Sequence, residues 1–227
     1  MEKLSIVTGI TGLIILLIIG FVRIFNNRRN IILEYEFIIE FKENFVIFTN
    51  NFFKDYDAVF RENKNFNSEL YTWLTKNVYK VQNMLGSSGM MAYVVPLHRY
   101  KVSNYQIIIN TLPKFRNGTI EELDIISVDD CLLRYIGKLE EKICRFKKEL
   151  KNPLVWFKMG IEGIISIPLY VFSIFGIISN EIIYKIIKST GYKIINGMMS
   201  IVTLIEFIAM IITGKSLIIQ LIKNFFS

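Results

Sequence analysis

A long uncharged stretch near the N-terminus constrains the fold of this chain more than any other feature. None of the 19 residues from Leu4 to Val22 is charged, and most of them are Ile, Leu, Val or Gly. An α-helix rises about 1.5 Å per residue, so this stretch matches the roughly 30 Å hydrocarbon core of a bilayer. It is longer than a signal-peptide core, and no small-residue cleavage site follows it. The sequence therefore predicts an uncleaved transmembrane helix within residues 1–26.

Two further apolar stretches lie near the C-terminus. Gly163–Asn180 has no charged residue, and Ile194–Gly214 has only one, Glu206. The roughly 130 residues between the two ends of the chain are polar and follow helical periods. We predict an all-α membrane protein with a cytoplasmic helical sensor domain at residues 27–152. Residues 153–227 would form a C-terminal membrane region, a two-span hairpin with interfacial amphipathic helices.

Basic residues predict the orientation of the chain. Cytoplasmic flanks are enriched in Lys and Arg, and Arg23, Arg28 and Arg29 follow the first stretch, whereas Lys3 precedes it. This asymmetry places the N-terminus outside and the polar middle inside. The chain has three lysines between the second and third apolar stretches, Lys185, Lys188 and Lys193. Three full crossings would leave these lysines outside, against the charge rule. A re-entrant path over Pro153–Ile178 would keep them inside. Three crossings are the preferred interpretation.

Helical patterns divide the middle of the chain into segments. Asn30–Arg61 is predicted to continue the first helix, Ser68–Leu85 to form a helix capped by Ser68, and Ser127–Lys151 to begin with a capping pair of Ser127 and Asp130. Gly86–Gly89 indicates a flexible loop, and residues 116–118 a turn. Met90–Val95 and Val102–Asn110 fit either short strands or a helix that ends before Pro113. The first of these helices has an apolar stripe at Leu33, Phe37, Phe41, Phe45, Phe48 and Phe52.

The C-terminal region carries its own local signals. Pro168 predicts a kink or a break into two half-helices, and Lys158 and Glu162, four residues apart, are expected to pair. Residues 181–193 are amphipathic and are expected to lie among lipid headgroups. Residues 194–213 would form the last span, and residues 215–226 a separate basic helix at the surface.

Two sets of residues in the spans are candidates for an oligomer interface and a pore. Gly9 and Gly12 pair with Ser5 and Thr8 at the four-residue spacing that lets membrane helices approach closely. Asn196, Ser200, Thr203 and Glu206 share one face of the last span. In a symmetric oligomer Glu206 would form an acidic ring that favours cations. The alternative is that Glu206 only bonds to Thr8, Thr11 or Lys158 of a neighbouring helix.

A basic, aromatic window is the second candidate site. No Asp or Glu occurs between Glu69 and Glu121, and aromatic residues alternate with the cations there. Cations that follow phosphates and rings that stack on bases are what nucleotides and single-stranded nucleic acid require. The alternative is a basic face that lies on anionic lipid headgroups. The candidate ligand-binding residues are Lys76, Lys80, His98, Arg99, Tyr100, Lys101, Lys114 and Arg116.

Enzyme chemistry has little support in the sequence. One histidine and two separated cysteines, Cys131 and Cys144, do not fit ordinary zinc spacings, and the cysteines are expected to be reduced. Neither a phosphate-binding loop nor a nucleophile elbow is present. We therefore expect no catalytic residue, no metal and no cofactor.

A C-terminal pattern resembles that of small bacterial membrane proteins. It consists of Asn152-Pro153-Leu154-Val155-Trp156-Phe157, then Gly160, Ser166-Ile167-Pro168-Leu169 and Gly176. The whole layout also resembles that of the membrane effectors of bacterial anti-phage systems. The resemblance implies a multi-pass protein of the bacterial inner membrane that permeabilises it in response to nucleotides or oligonucleotides.

The functional expectation combines these signals. It is an oligomeric effector that conducts ions or disrupts the membrane, gated by a nucleotide or a short single-stranded nucleic acid. Anionic lipids, further copies of the chain and a protein encoded in the same operon are the expected partners. The alternative is a scaffolding membrane protein that recruits a protein partner.

Overall fold

The structure, a computed structural model, describes the backbone of residues 2–54, 56–57, 62–63, 66–94 and 101–225. Most of these residues are helical, in α1 (Glu2–Lys54), α2 (Ser68–Leu85), α3 (Ile107–Arg116), α4 (Glu122–Glu149), α5 (Pro153–Ile174), α6 (Asn180–Lys188) and α7 (Thr190–Phe225). Antiparallel hairpins join β1 (Tyr56–Asp57) to β2 (Glu62–Asn63) and β3 (Met90–Val94) to β4 (Lys101–Gln106). The described part of the chain is thus mostly helical, as expected, and two short antiparallel strand pairs accompany the helices.

The chain forms two compact units. The central unit comprises Arg29–Cys144, and the terminal unit comprises Met1–Arg28 together with Arg145–Ser227. Helices α1 and α4 each contribute residues to both units. The terminal unit is therefore built from the two ends of the chain, which are far apart in sequence.

Phenylalanines of α1 form the centre of the central unit. Phe41, Phe45, Phe48 and Phe52 are buried, as their spacing predicts. Leu33, assigned to the same stripe, is instead 54% exposed. Steps of four residues rotate a stripe by about 40° each, because a helix turns about 100° per residue, so two steps carry Leu33 away from the packed face.

Helix α2 buries one apolar face. Tyr71, Leu74, Val78, Val81 and Leu85 are all buried, and they pack with α1, α3 and α4 in one core. The capping residue differs from the prediction by one position. Asn67 rather than Ser68 caps the helix, because its side-chain oxygen accepts a hydrogen bond from the Leu70 N–H at 2.9 Å.

The segment Gly86–Gly89 is a 3₁₀ turn with defined bonds rather than a flexible loop. The buried side chain of Gln82 donates to the Gly89 carbonyl at 2.9 Å and accepts from the Ile108 N–H at 3.1 Å. The Cys131 thiol donates to the Ser88 carbonyl at 2.8 Å. One glutamine thus fixes the turn against the start of α3.

For the residues after this turn, the sequence allowed either short strands or a helix that ends before Pro113. They form strands β3 and β4, and the chain then enters α3, which continues through Pro113 to Arg116. The predicted turn at residues 116–118 is present, and Gly118 adopts a positive φ of 62° there.

Helix α4 begins at Glu122, five residues before the predicted start at Ser127. The Asp124 carboxylate accepts hydrogen bonds from the Glu121 N–H at 3.1 Å and from Lys114 Nζ at 2.6 Å, which stabilises the earlier turn. Leu133 is 48% exposed, whereas its neighbour Leu132 is buried.

The C-terminal helices also differ from their predicted boundaries. Helix α5 starts after the Asn152 cap and passes through Pro168 without interruption. The amphipathic segment ends at Lys188 rather than residue 193, because Ser189 separates α6 from α7. The last span and the final basic helix, expected to be separate, form the single helix α7.

Three helices in the described part of the chain are long and apolar enough to cross a membrane. They lie in Val7–Lys54, Pro153–Ile174 and Thr190–Met210. These helices agree with the expectation of a membrane protein.

Candidate functional site

A close helix contact in the terminal unit joins α1 to α5 through two glycines. A methyl group on Gly20 would overlap the Trp156 carbonyl and come within 2.8 Å of the Gly160 nitrogen. A methyl group on Gly160 would likewise overlap the Leu16 carbonyl. Only glycine permits this approach, which is the ordinary device for packing helices in lipid. The sequence contains the signal for it, two glycines at helix positions, but gives no indication that they meet.

The predicted interface glycines have different surroundings. Gly9 lies against the side chain of Met210 in α7, whereas the space beside Gly12 is open to 4 Å. Gly9 thus contributes to packing within one chain. The open face at Gly12 stays available for the predicted contact with another copy.

An ion pair joins α1 to α5 beside the start of α7. Arg23 Nη2 lies 3.6 Å from Glu162 Oε1, and the Tyr192 hydroxyl donates to the Glu162 backbone carbonyl at 3.3 Å. The side chains of Arg23 and Glu162 are 27% and 21% exposed. The expected pair of Lys158 with Glu162 does not form, and Lys158 is exposed. Glu162 instead bonds to an arginine 139 positions earlier in the chain.

The polar residues of α7 do not share one environment. Asn196 is 4% exposed, and its side-chain oxygen has no hydrogen-bond partner among the described residues. The hydroxyls of Ser200 and Thr203 donate to the carbonyls of Asn196 and Met199 in their own helix, at 2.7 and 2.8 Å. Glu206 is exposed. The described contacts include no bond from Glu206 to Thr11 or Lys158, and the Thr11 hydroxyl donates instead to the Val7 carbonyl.

Two of the predicted ligand-binding cations lie together on α2. Lys76 and Lys80 are one helical turn apart and exposed, and Tyr79 beside them is 66% exposed. Lys80 Nζ lies 3.4 Å from the centre of the Phe37 ring, a cation–π contact that orients its stem across α1. We call Lys76, Tyr79 and Lys80 the α2 face.

The other cations are dispersed. Lys114 forms a 2.6 Å ion pair with Asp124, an acidic residue that lies outside the acid-free stretch of the sequence. The Arg116 guanidinium lies 4.8 Å from the centre of the Tyr71 ring, and Lys101 is exposed on β4. The remaining predicted residues, His98, Arg99 and Tyr100, lie outside the described residues.

Two depressions in the central unit were not predicted. The larger, about 390 Å³, is lined by Asn44, Asn67, Glu69, Leu70 and Trp73. The smaller, about 110 Å³, includes Cys131, and burial raises the pKa of its thiol above the usual value. The α2 face lines neither depression. An anionic ligand on that face would therefore lie on an open helix surface.

Comparison with protein-family models, curated proteins and solved structures finds no match to this chain.

Proposed function

We propose that this chain is a homo-oligomeric effector of the bacterial inner membrane that conducts ions or disrupts the bilayer. The observation that carries the proposal is Glu206, a carboxylate exposed on the apolar helix α7. A charged side chain at the centre of a membrane helix costs about 3 kcal/mol on insertion scales unless water or a polar partner meets it. Further copies of α7, each bringing a Glu206, would supply an aqueous lumen and remove that cost.

The open face at Gly12 supports assembly. In lipid, helices associate through close packing rather than through a hydrophobic drive, and small residues make that approach possible. The single chain leaves Gly12 without a neighbour within 4 Å. A second copy would bury this face at little steric cost.

We propose further that an anionic ligand at the cytoplasmic residues 27–152 gates the assembly. The α2 face offers two cations around an exposed ring, the combination that holds a phosphate and stacks a base. Helix α1 carries both the apolar stretch and the phenylalanines that pack with α2. A ligand that shifts α2 would therefore act on a helix that also contributes to the membrane part.

A liposome flux assay tests the conduction proposal. The full chain would be reconstituted and K⁺ efflux measured with and without a mixture of nucleotides and a short oligothymidylate. Glu206→Gln is expected to lower K⁺ efflux on the order of tenfold, the effect of losing about 1.4 kcal/mol of ion stabilisation. The control is Glu36→Gln, which removes an exposed carboxylate from the central part of α1.

Two results would contradict this proposal. The first is an absence of efflux from the native chain under every condition. The second is efflux from the Glu206→Gln variant at the native rate, which would contradict only the acidic ring.

A scaffolding function is the alternative, and a stripe on α4 favours it. Leu123, Ile126 and Leu133 are 71%, 48% and 48% exposed, and their spacing of three and seven residues places them on one helix face. A partner helix with an apolar face would fit such a stripe.

A further inference from the structure

The larger depression of the central unit and the lysines of the α2 face lie on one side of helix α2. Glu69 and Trp73 line the depression, and Lys76 and Lys80 follow them along the helix. Successive members of this set are four, three and four residues apart, the spacing of neighbours on one helix face. Since a helix rises 1.5 Å per residue, Lys76 and Lys80 lie about 5 and 10 Å beyond Trp73. The depression therefore leads towards the two lysines.

Helix α1 forms the other wall of this surface. The Trp73 ring lies 6.4 Å from the Phe37 ring and 6.0 Å from the Phe41 ring, measured between centroids. The Lys80 Nζ lies over the same Phe37 ring, at 3.4 Å from its centre. Asn44, two turns further along α1, lines the depression. The larger depression together with Lys76 and Lys80 thus follows the boundary between α1 and α2, and we call this surface the α1–α2 groove.

The two ends of the α1–α2 groove have opposite chemistry. One end carries the exposed carboxylate of Glu69, whereas the other carries the two exposed cations of the α2 face. A ligand that is anionic throughout would be repelled by Glu69, so the groove suits a ligand with one hydrogen-bonding end and one anionic end. The depression has a volume of about 390 Å³, within the range of sites that hold small organic molecules. A nucleotide has these two ends, a base and a phosphate.

The side chains of the depression favour some bases over others. Trp73 offers a ring on which any base can stack. The side-chain oxygen of Asn67 already accepts from the Leu70 N–H, so only the NH₂ group of Asn67 remains to contact a ligand. An ionised carboxylate such as that of Glu69 accepts hydrogen bonds and donates none. Adenine, cytosine and guanine carry an exocyclic amine that can donate to it, whereas uracil and thymine carry carbonyl oxygens instead.

We infer that the α1–α2 groove binds a nucleotide whose base carries an exocyclic amine. The base stacks on Trp73 and donates its amine to Glu69, and the phosphate lies on Lys76 and Lys80. This site rests on the ligand proposed above for the α2 face, and it adds a choice of base to that ligand. All of these residues belong to the central unit.

Fluorescence anisotropy with three oligonucleotides of equal length tests the choice of base. The full-length, detergent-solubilised chain would be titrated at one salt concentration into labelled oligoadenylate, oligocytidylate and oligouridylate. The first two are expected to bind on the order of tenfold more tightly than oligouridylate, because uracil leaves the Glu69 carboxylate facing carbonyl oxygens. Glu69→Gln is expected to remove most of this preference, since an amide can donate as well as accept. The control is Glu43→Gln, which removes an exposed carboxylate one position before Asn44 and is expected to keep the native preference.

The outcomes separate this site from the ligand proposed for the α2 face. Equal binding of all three oligonucleotides by the native chain would overturn the choice of base and leave the ligand of the α2 face in place. The absence of binding of any of them would overturn both. If Glu69 only stabilises the start of α2, Glu69→Gln would lower the melting temperature and leave the preference unchanged, which would also contradict the site.

Tryptophan emission tests the position of the base directly. The chain has two tryptophans, so a Trp156→Phe parent, which keeps an aromatic ring beside Phe21, leaves Trp73 as the only reporter. Saturating oligoadenylate is expected to quench this emission because a base stacks on the ring. Pyrophosphate, which can occupy only the lysines, is expected to leave the emission unchanged. Unchanged emission with bound oligoadenylate would place the base elsewhere and overturn the site.

Discussion

The contribution of a single glycine to helix packing depends on the atoms that lie opposite it. Gly12 and Gly160 both lie in apolar helices, yet one faces open space and the other the Leu16 carbonyl. A sequence displays both as small residues at helical spacing. Their different roles depend on a partner helix more than 100 residues away in the chain.

Alanine substitutions at these two glycines make a matched pair. Gly160→Ala is expected to destabilise the detergent-solubilised chain by about 1–3 kcal/mol, the usual cost of overpacking, seen as a lower melting temperature. Gly12→Ala adds the same methyl group in open space and is expected to be neutral or to stabilise, since alanine favours helix by about 1 kcal/mol. Equal melting temperatures for the two variants would contradict the close contact. The assembly proposed above predicts in addition that Gly12→Ala lowers the oligomeric mass, because the methyl group would stand where another copy packs.

Lys114 illustrates the limit of reading charge along the chain. It lies in a stretch without acidic residues, so the sequence presents it as an unpaired cation. In the fold, α3 and α4 bring Lys114 next to Asp124, which follows it by ten residues and lies just outside the acid-free stretch. Distance along the sequence does not measure the electrostatic environment.

At the scale of elements, polar contacts align α1 with α4. The Tyr135 hydroxyl donates to Glu34, the Tyr35 hydroxyl to Glu140 at 3.1 Å, and Lys42 pairs with Asp129 at 3.0 Å. Residues 34 and 35 of α1 contact residues 135 and 140 of α4, whereas residue 42, further along α1, contacts residue 129, which lies earlier in α4. The two helices therefore run antiparallel in the central unit.

The contact of Tyr135 predicts a loss of stability at high pH. Burial, and then the hydrogen bond to the Glu34 carboxylate, raise the pKa of the Tyr135 hydroxyl well above its usual value. The unfolded chain releases this proton near pH 10 whereas the folded chain retains it, so stability is full below pH 10 and falls above it. Helical circular dichroism of the solubilised chain between pH 8 and 12 should show this loss, and Tyr135→Phe should reduce it. The exposed Tyr79→Phe is the control, and the same pH profile in both variants would exclude the assignment.

Two prolines lie inside helices rather than at their ends. Pro113 and Pro168 interrupt a pattern in the sequence, yet both lie inside continuous helices. A proline removes one hydrogen bond, a local cost that packing on the rest of the helix can offset. Local signals therefore predicted breaks that neighbouring elements override.

At the scale of the whole molecule, two surfaces of the central unit separate the proposed functions. A double variant of Lys76→Gln and Lys80→Gln is expected to weaken binding of a labelled oligothymidylate at least tenfold in fluorescence anisotropy, because two phosphate contacts are lost. The matched triple variant, with Ser at the positions of Leu123, Ile126 and Leu133, is expected to bind as the native chain does. Both must keep the native melting temperature. Weaker binding by the triple variant alone, or none by the native chain, would shift support to the scaffolding function.

Patterns in the sequence predict the apolar helices and the buried phenylalanines from Phe41 to Phe52. Each of these depends on how apolar residues are spaced within one segment, and that spacing determines which helix face is buried. The fold shows in addition that Gly20 meets Gly160, that Glu162 pairs with Arg23, and that Gly9 lies against Met210. These contacts join residues more than 100 positions apart, and no local pattern encodes which distant helix a face will meet.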